Sequence, residues 1–552
     1  ALMVPDNARS GVEIKIPLDK LNGAQHGEKA LVKITIWPKS AEKPYGEVLV
    51  RLGKSGSNET EMLSILYNQG INPVFPEAVM AEAELIGIDL DPKEVAQRRD
   101  FRPILTFTID PFDAKDFDDA ISFQDLENGH FEIGVHIADV SHYVRPGSAM
   151  DQEALLRSNS DYLVDRVVPM LPEQLSNLAC SLRPHEDKFA FSAVFELDDA
   201  GKIYKEWYGK TVIHSDRRYT YEEAQEILEG KPGDHEAILR KIDVLAKIYR
   251  KQRLKQGALS IESEEMRFKL NEEGNPDGVV IKTSKDAHKL IEECMLLANV
   301  AAAEYALEHD IPMLYRVHEA PEFSRIQKVR DFVKLLGLPF PEQPTQADYQ
   351  RVIEATKDRL DAPSIHAVLL RSMMQAYYGA KNSGHYGLAY EAYTHFTSPI
   401  RRYPDLLLHR AIKAYLDKKV YPLSGAALDD AGEHFSQTER RADEASRSVT
   451  TWLKCHYMQQ HLGDEFVGII SAVTEFGLFV TLKDLYVDGM IHVSQLGEDY
   501  FVYDQASQSL VGQNRGQAFS LGDEVKIQVA GVNLEERKID FKLIQQLTHL
   551  GR

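Results

Sequence analysis

Cysteine is scarce in this chain: 3 in 552 residues, Cys180, Cys294 and Cys455, with no CxxC pair. That excludes a disulfide framework and a thiolate zinc site, and it leads us to expect reduced thiols in a cytoplasmic protein. No apolar run approaches the roughly 20 residues a membrane-spanning helix needs. The first residues also lack the basic-then-apolar layout of a signal peptide, so no membrane association is expected. Basic charge is short as well. Against 85 Asp and Glu stand 64 Lys and Arg, a formal charge of −21. This speaks against a uniformly basic nucleic-acid coat but allows a narrow basic channel inside an acidic body. There is no low-complexity segment and no basic tail. The chain opens at Ala1 without an initiator Met, so we expect the natural N-terminus to lie further upstream.

A length of 552 residues is too great for one core, and two to four domains are expected. Residues 1–78 alternate in VKITIW and EVLVRL, which predicts a small half-buried β-barrel. PEAVMAEAELIG then has a helical pattern. Residues 79–455 mix strands (LTFTID, FEIGVHIADV, FAFSAVFEL) with long helical patterns, among them HKLIEECMLLANVAAAEYALEH, and form a mixed α/β core without an obvious internal boundary. Residues 463–546 return to five short strands in the rhythm of a Greek-key OB barrel. The expected fold class is therefore multidomain α+β, with a central mixed α/β domain flanked by two β-barrels of OB type.

TIDPFDAKDFDDA, Thr108 to Ala120, places Asp110, Asp113, Asp116, Asp118 and Asp119 within ten residues, where average composition (85/552 × 10) gives about 1.5 acids. LTFTID sets Leu105, Phe107 and Ile109 on one face and Thr106, Thr108 and Asp110 on the other. Pro111 stops the strand. Two carboxylates 4 Å apart repel by about 4 kcal/mol at an effective dielectric near 20. The crowd therefore implies cations, strong pKa shifts or full exposure on a solvated loop. The apolar strand before it, and Ala120 and Ile121 after it, favour a cation. All-oxygen ligands select Mg²⁺, Mn²⁺ or Ca²⁺. Counted from Asp113, an EF-hand would need Gly and Glu where Asp118 and Gln124 stand. A pair of Mg²⁺ ions bridged by aspartates, as in phosphoryl transfer, fits better.

The second dense polar stretch is HFTSPIRRYPDLLLHRAI, His395 to Ile412. Ser398 followed by Pro399 predicts a helix start, an N-cap and then proline in the first turn. On that helix Arg401, Asp405 and His409 would share one face, and the helix N-terminus with two arginines would form an anion site. A helix start held by surface ion pairs is the alternative.

TIDPFDAKDFDDA, VHIADVSHYV, VVPMLPEQLSN, AHKLIEECMLLAN and HFTSPIRRYPDLLLHR together closely resemble the motifs of the RNase II/RNB exoribonucleases; RRYPD and the terminal barrel are most similar to the bacterial ribonuclease R branch. The resemblance implies a cold-shock-like OB barrel over 1–78, an RNB catalytic domain over 79–455 and an S1-type RNA-binding OB domain over 463–546. Family members usually carry a second cold-shock barrel, often a further N-terminal domain, and in that branch a Lys-rich tail. The implied activity is processive hydrolysis of RNA from a free 3′ end to nucleoside 5′-monophosphates, by a monomer using one or two Mg²⁺ ions, with Mn²⁺ able to substitute.

By the same resemblance Asp110, Asp116, Asp118 and Asp119 are the catalytic and metal-holding carboxylates, Asp113 is the extra acid, and Arg401 is the catalytic arginine. Arg402 is a second phosphate contact. Tyr162 matches the aromatic that stacks on the terminal base. Glu292, on a helix stripe with His288 and Asn299, would accept from a ribose 2′-hydroxyl, and Tyr221 is assigned to substrate as well. Ile261 stands where some relatives carry an aromatic and offers no π-face. His136 and Asp139 match a motif beside the site, or else hold the core. In the terminal barrel Phe476 is expected to stack on bases, with Phe479 divided between core and base stacking and His492 on the next strand. Two rival functions remain on sequence grounds: a catalytically silent RNA-binding protein, and a metal-dependent phosphodiesterase acting on DNA or small phosphates.

Overall fold

Aromatic and β-branched residues build the central sheet. In the computed structural model, which describes residues 1–6, 12–39, 43–260, 265–359, 361–423, 425–504 and 507–548, that sheet has seven strands: β1 (Arg99–Asp100), β2 (Thr106–Asp110), β3 (Asp119–Asp125), β4 (Phe131–Ala138), β6 (Asp187–Leu197), β7 (Ile203–His214) and β8 (Arg217–Thr220). A two-residue strand, β5 (Asp161–Tyr162), pairs separately with Val167–Val168. The sheet order is β8-β2-β3-β4-β6-β7-β1. The outer pairs β8–β2 and β7–β1 run parallel, and the four inner pairs are antiparallel.

Both faces of this sheet are covered. One packs Phe107, Ile109, Val135 and Phe191 against Leu290, Cys294 and Ala298 of the long helix α2 (Asp286–Glu308). The other packs Ala120, Ala138 and Ala190 against Leu171, Leu175, Tyr403 and Leu406. The second layer explains a departure from the sequence pattern: Thr106 and Thr108 lie opposite Phe107 and Ile109, yet they are buried too. A sheet with helices on both sides has no polar-out face. Helix α1 (Tyr221–Leu228) follows β8 directly and opens with a Thr220/Glu223 capping box. Helices α3 (Tyr403–Leu416) and α4 (Ala426–Met458) complete the central region.

The first segment forms a four-stranded sheet around Ile14, Ile16 and Val48. Its helix Asn58–Asn68 packs Met62, Ile65 and Leu66 against Val449, Trp452 and Leu453 of α4, so α4 ties the first segment to the centre. The last segment is a closed five-stranded barrel of Glu465–Thr474, Gly477–Leu482, Asp488–His492, Lys538–Gln546 and Glu524–Asn533. Gly477 is required there, because a Cβ would collide with the Ile491 carbonyl oxygen. A three-stranded sheet over 501–520, which the sequence pattern did not anticipate, is inserted before the last two barrel strands. Among the described residues no helix is long and apolar enough to cross a membrane.

Candidate active site

Asp110 ends β2, Asp119 begins β3, and the loop between them carries Asp116 and Asp118. Phe117 is buried between these two acids, and its backbone N–H donates to Ser181 Oγ at 2.9 Å. Arg218 donates to the carbonyl of Phe112 at 2.9 Å and to that of Pro111, clamping the start of the loop. Asp113 points to solvent. Asp118 is 5% exposed, and its Oδ1 accepts from the backbone N–H of Ile400 at 2.9 Å, a contact across 282 residues. Its Oδ2 lies 3.4 Å from Arg401 Nε and accepts no hydrogen bond. Asp110 Oδ2 is likewise buried without a donor.

The electrostatics follow from this packing. Burial pushes the Asp110 carboxyl up, and the charge of Asp119 pushes it further. Burial raises Asp118 and Asp119 as well, with Arg401 opposing in both cases. Among the described residues no group of three or more His, Cys, Asp or Glu side chains is arranged to hold a metal ion. The donor set nonetheless fits a hard divalent cation. The buried Oδ2 atoms of Asp110 and Asp118 lack hydrogen-bond donors, and hard oxygen donors suit such an ion.

The SPIRR turn differs from its sequence reading. The helix begins at Tyr403, not after Ser398, with Arg402 at the N-cap position and Pro404 in its first turn. Ser398 instead braces the turn ahead of the helix: its Oγ accepts from Arg401 Nη2 at 2.8 Å, and its N–H donates to Asp405 Oδ1 at 2.8 Å. Arg401 therefore precedes α3, while Asp405 and His409 ride on it, both fully buried. Asp405 also accepts from Arg402 at 2.9 Å, so Arg402 turns inward, although its charge still lowers the pKa of Asp119. The Arg401 side chain stays 42% exposed beside the carboxylates.

The other sequence-selected residues divide. Tyr162 is partly exposed on β5 and donates from its hydroxyl to Asp116 Oδ2 at 2.7 Å. Tyr221 begins α1 and stacks on His288 of α2, centroids 4.1 Å apart at 10°. Burial, then the charges of Asp119 and Asp110, push its phenol pKa up. Glu292, one turn after His288, is half exposed, 3.4 Å from Arg253. Asn299, on the same helix, is buried: its Oδ1 accepts from Phe396 N–H at 2.8 Å, and its Nδ2 donates to Tyr393 OH at 3.2 Å. Ile261 lies outside the described residues. His136 and Asp139 are core residues. His136 sits between Ser122 and Ser192, and Asp139 between Arg98 and Lys413. Phe476 is exposed, Phe479 half-buried against it at 6.0 Å, and His492 exposed. The sequence reading missed Arg218, and it gave Asp405 and Asn299 no supporting role. RRYTYEEA holds the only sequence hint for Arg218, an arginine pair just before a capped helix.

Comparison with known proteins agrees with this geometry. Residues 98–418 match the RNB domain family, 3–76 the cold shock domain family and 459–544 the S1 RNA binding domain family. The chain belongs to the RNB family of exoribonucleases. Within it, the similar curated proteins are ribonuclease R enzymes, and the chain is a 3′→5′ exoribonuclease of that kind. Ribonuclease R of Vibrio parahaemolyticus is 40% identical, the match covering 98% of this chain and 67% of the relative. The Escherichia coli enzyme is also 40% identical, with 98% and 69% covered. Among solved structures, Mycoplasma genitalium RNase R in complex with ribose methylated single-stranded RNA superposes with a TM-score of 0.92 at 26% identity, covering 98% of this chain and 86% of that one. Yeast Ssd1, a pseudonuclease, shares the fold at a TM-score of 0.74 and 20% identity, covering 92% of this chain and 65% of that one. Fold alone does not carry the activity.

Proposed function

We propose that the chain degrades single-stranded RNA processively from a free 3′ end, by hydrolysis to nucleoside 5′-monophosphates, as a cytoplasmic monomer. Asp110, Asp116, Asp118 and Asp119 would hold the divalent metal that RNB exonucleases use. We take it to be Mg²⁺, one or two ions, replaceable by Mn²⁺. When bound, the metal supplies an activated water and charge neutralisation at the scissile phosphate. Arg401, exposed beside Asp118, directs its free guanidinium face at charge developing on that phosphate. Arg402 adds positive potential from the buried side. Tyr162 would offer its ring to the 3′-terminal base, and Tyr221 and Glu292 are the residues we assign to the ribose hydroxyls. Phe476 stacks a base further along the strand.

The observation that carries this reading is the Asp118–Ile400 hydrogen bond, which brings the carboxylate loop and the SPIRR turn into one site. Three buried free thiols suit a reducing compartment. The test is Asp118→Asn. An amide at this position still accepts from Ile400 through Oδ1, so the turn keeps its anchor while the charge is lost. RNA binding in EDTA should stay within about threefold, and turnover should fall by at least about 10²-fold. Wild-type turnover in this variant would remove Asp118 from the reaction.

A further inference from the structure

Tyr162 combines the exposure a base-stacking residue needs with a contact that stacking does not need. The residue is 44% exposed, as a stacking platform should be. Its hydroxyl, however, points at Asp116 Oδ2, at 2.7 Å, and among the described residues this is the one hydrogen bond to the Asp116 side chain. Asp118 has the Ile400 amide to fix it. Asp116 sits on the open part of the loop and has only the phenol.

The phenol is itself held in register with the arginine. The chain leading into β5 runs beside the SPIRR turn: Tyr403 N–H donates to Ser158 O at 2.8 Å and Ser160 N–H to Arg401 O at 3.0 Å, with a bridge between Asn159 and Arg402. One short backbone ladder thus sets Arg401 and Tyr162 together, and Tyr162 in turn sets Asp116. Carboxylates that ligate metals are routinely oriented by such outer hydrogen bonds, and losing one typically costs 10–100-fold in metal affinity.

We propose that Tyr162 is a positioning residue for Asp116, its hydroxyl orienting the carboxylate toward the divalent cation while its ring receives the 3′-terminal base. The same side chain then links metal occupancy to the seating of the substrate end. Terminal-base seating that locks the ring also locks the Asp116 oxygen, so by linkage each event favours the other. This rests on reading the four aspartates as the metal site.

The experiment measures Mn²⁺ affinity by electron paramagnetic resonance on the full chain, wild type beside Tyr162→Phe and Asp118→Asn. RNA affinity is measured in EDTA for the same proteins. Tyr162→Phe removes only the hydroxyl and keeps the ring. It should weaken Mn²⁺ binding by about tenfold or more, with RNA affinity within about twofold and an unchanged melting temperature. If Tyr162→Phe binds Mn²⁺ as the wild type does while Asp118→Asn does not, the positioning role is overturned and the metal site stands. Equal losses of Mn²⁺ and RNA affinity in Tyr162→Phe would overturn it too, since that marks general distortion. If the wild type binds no Mn²⁺, both readings fall.

Discussion

Asp118 and Asp139 are both buried, at 5% and 0% exposure, and their surroundings are opposite. Asp139 has Arg98 at 2.8 Å and Lys413 closer still. Burial alone would push its carboxyl up; Lys413 and Arg98 overcome that and hold it well below the usual carboxylate range. Its charge is fully matched, which makes it a structural acid. Asp118 has one backbone donor, an oxygen without a hydrogen bond and a pKa raised by burial, which leaves it short of positive charge. The contrast yields a stability prediction. Removing one member of a buried ion network typically costs 3–5 kcal/mol, so Asp139→Asn should lower stability at pH 7 by about that much. An acid with a depressed folded pKa stabilises fully above its unfolded value of about 3.9 and loses that contribution as pH falls below it. Asp139 itself holds up the titration of buried Lys413 and His142, so the diagnostic window is the acid one: the gap between wild type and variant, read from urea midpoints, should narrow below about pH 4. A gap that does not narrow there contradicts the assignment.

At the scale of elements, the turn before α3 decides where Arg401 stands, and it is pinned from three sides. Asp405 holds Ser398 N–H, His409 Nε2 bonds Phe396 O at 2.7 Å, and Asn299 holds Phe396 N–H. Asn299→Ala leaves a buried amide unpaired, which should cost about 1–3 kcal/mol in thermal or urea unfolding. It should also lower kcat, because the turn carrying Arg401 loosens. Unchanged stability and kcat would show that Asn299 only fills space. The same turn marks how far the sequence was legible. The strands and the two polar motifs were visible because alternation and clustered charge are local signals. The helix start was misplaced because Ser-Pro is also a local signal, and a second proline, Pro404, occupies the first turn of the helix that forms. The burial of Thr106 and Thr108 was hidden because a second layer of helices, distant in sequence, covers their face. The inserted sheet over 501–520 escaped because its three short strands resemble a turn-rich loop in pattern. Asn299 was noticed on its helix stripe, but its partner lies 97 residues away.

Across the whole molecule, a −21 chain has to attract a polyanion, and it does so locally. Arg218 lowers the pKa of Asp110, Arg401 those of Asp118 and Asp119, and Arg402 that of Asp119. The S1-type segment exposes Phe476, and the stacking proposed for it would be worth about 1–3 kcal/mol per base whatever the sequence. Helix α4 packs on both the first segment and, through Cys455 and Met458, the terminal barrel, so the first and last segments share one spine with the central region. Metal-dependent removal of nucleotides from the 3′ end of RNA is tested most directly by incubating the chain with 5′-labelled single-stranded RNA or the matching DNA, with Mg²⁺ or with EDTA. Labelled RNA should pass to a short end product with nucleoside 5′-monophosphates released, DNA should survive, and EDTA should abolish the reaction. Internal cleavage, equal loss of DNA, or degradation that persists in EDTA would contradict this reading.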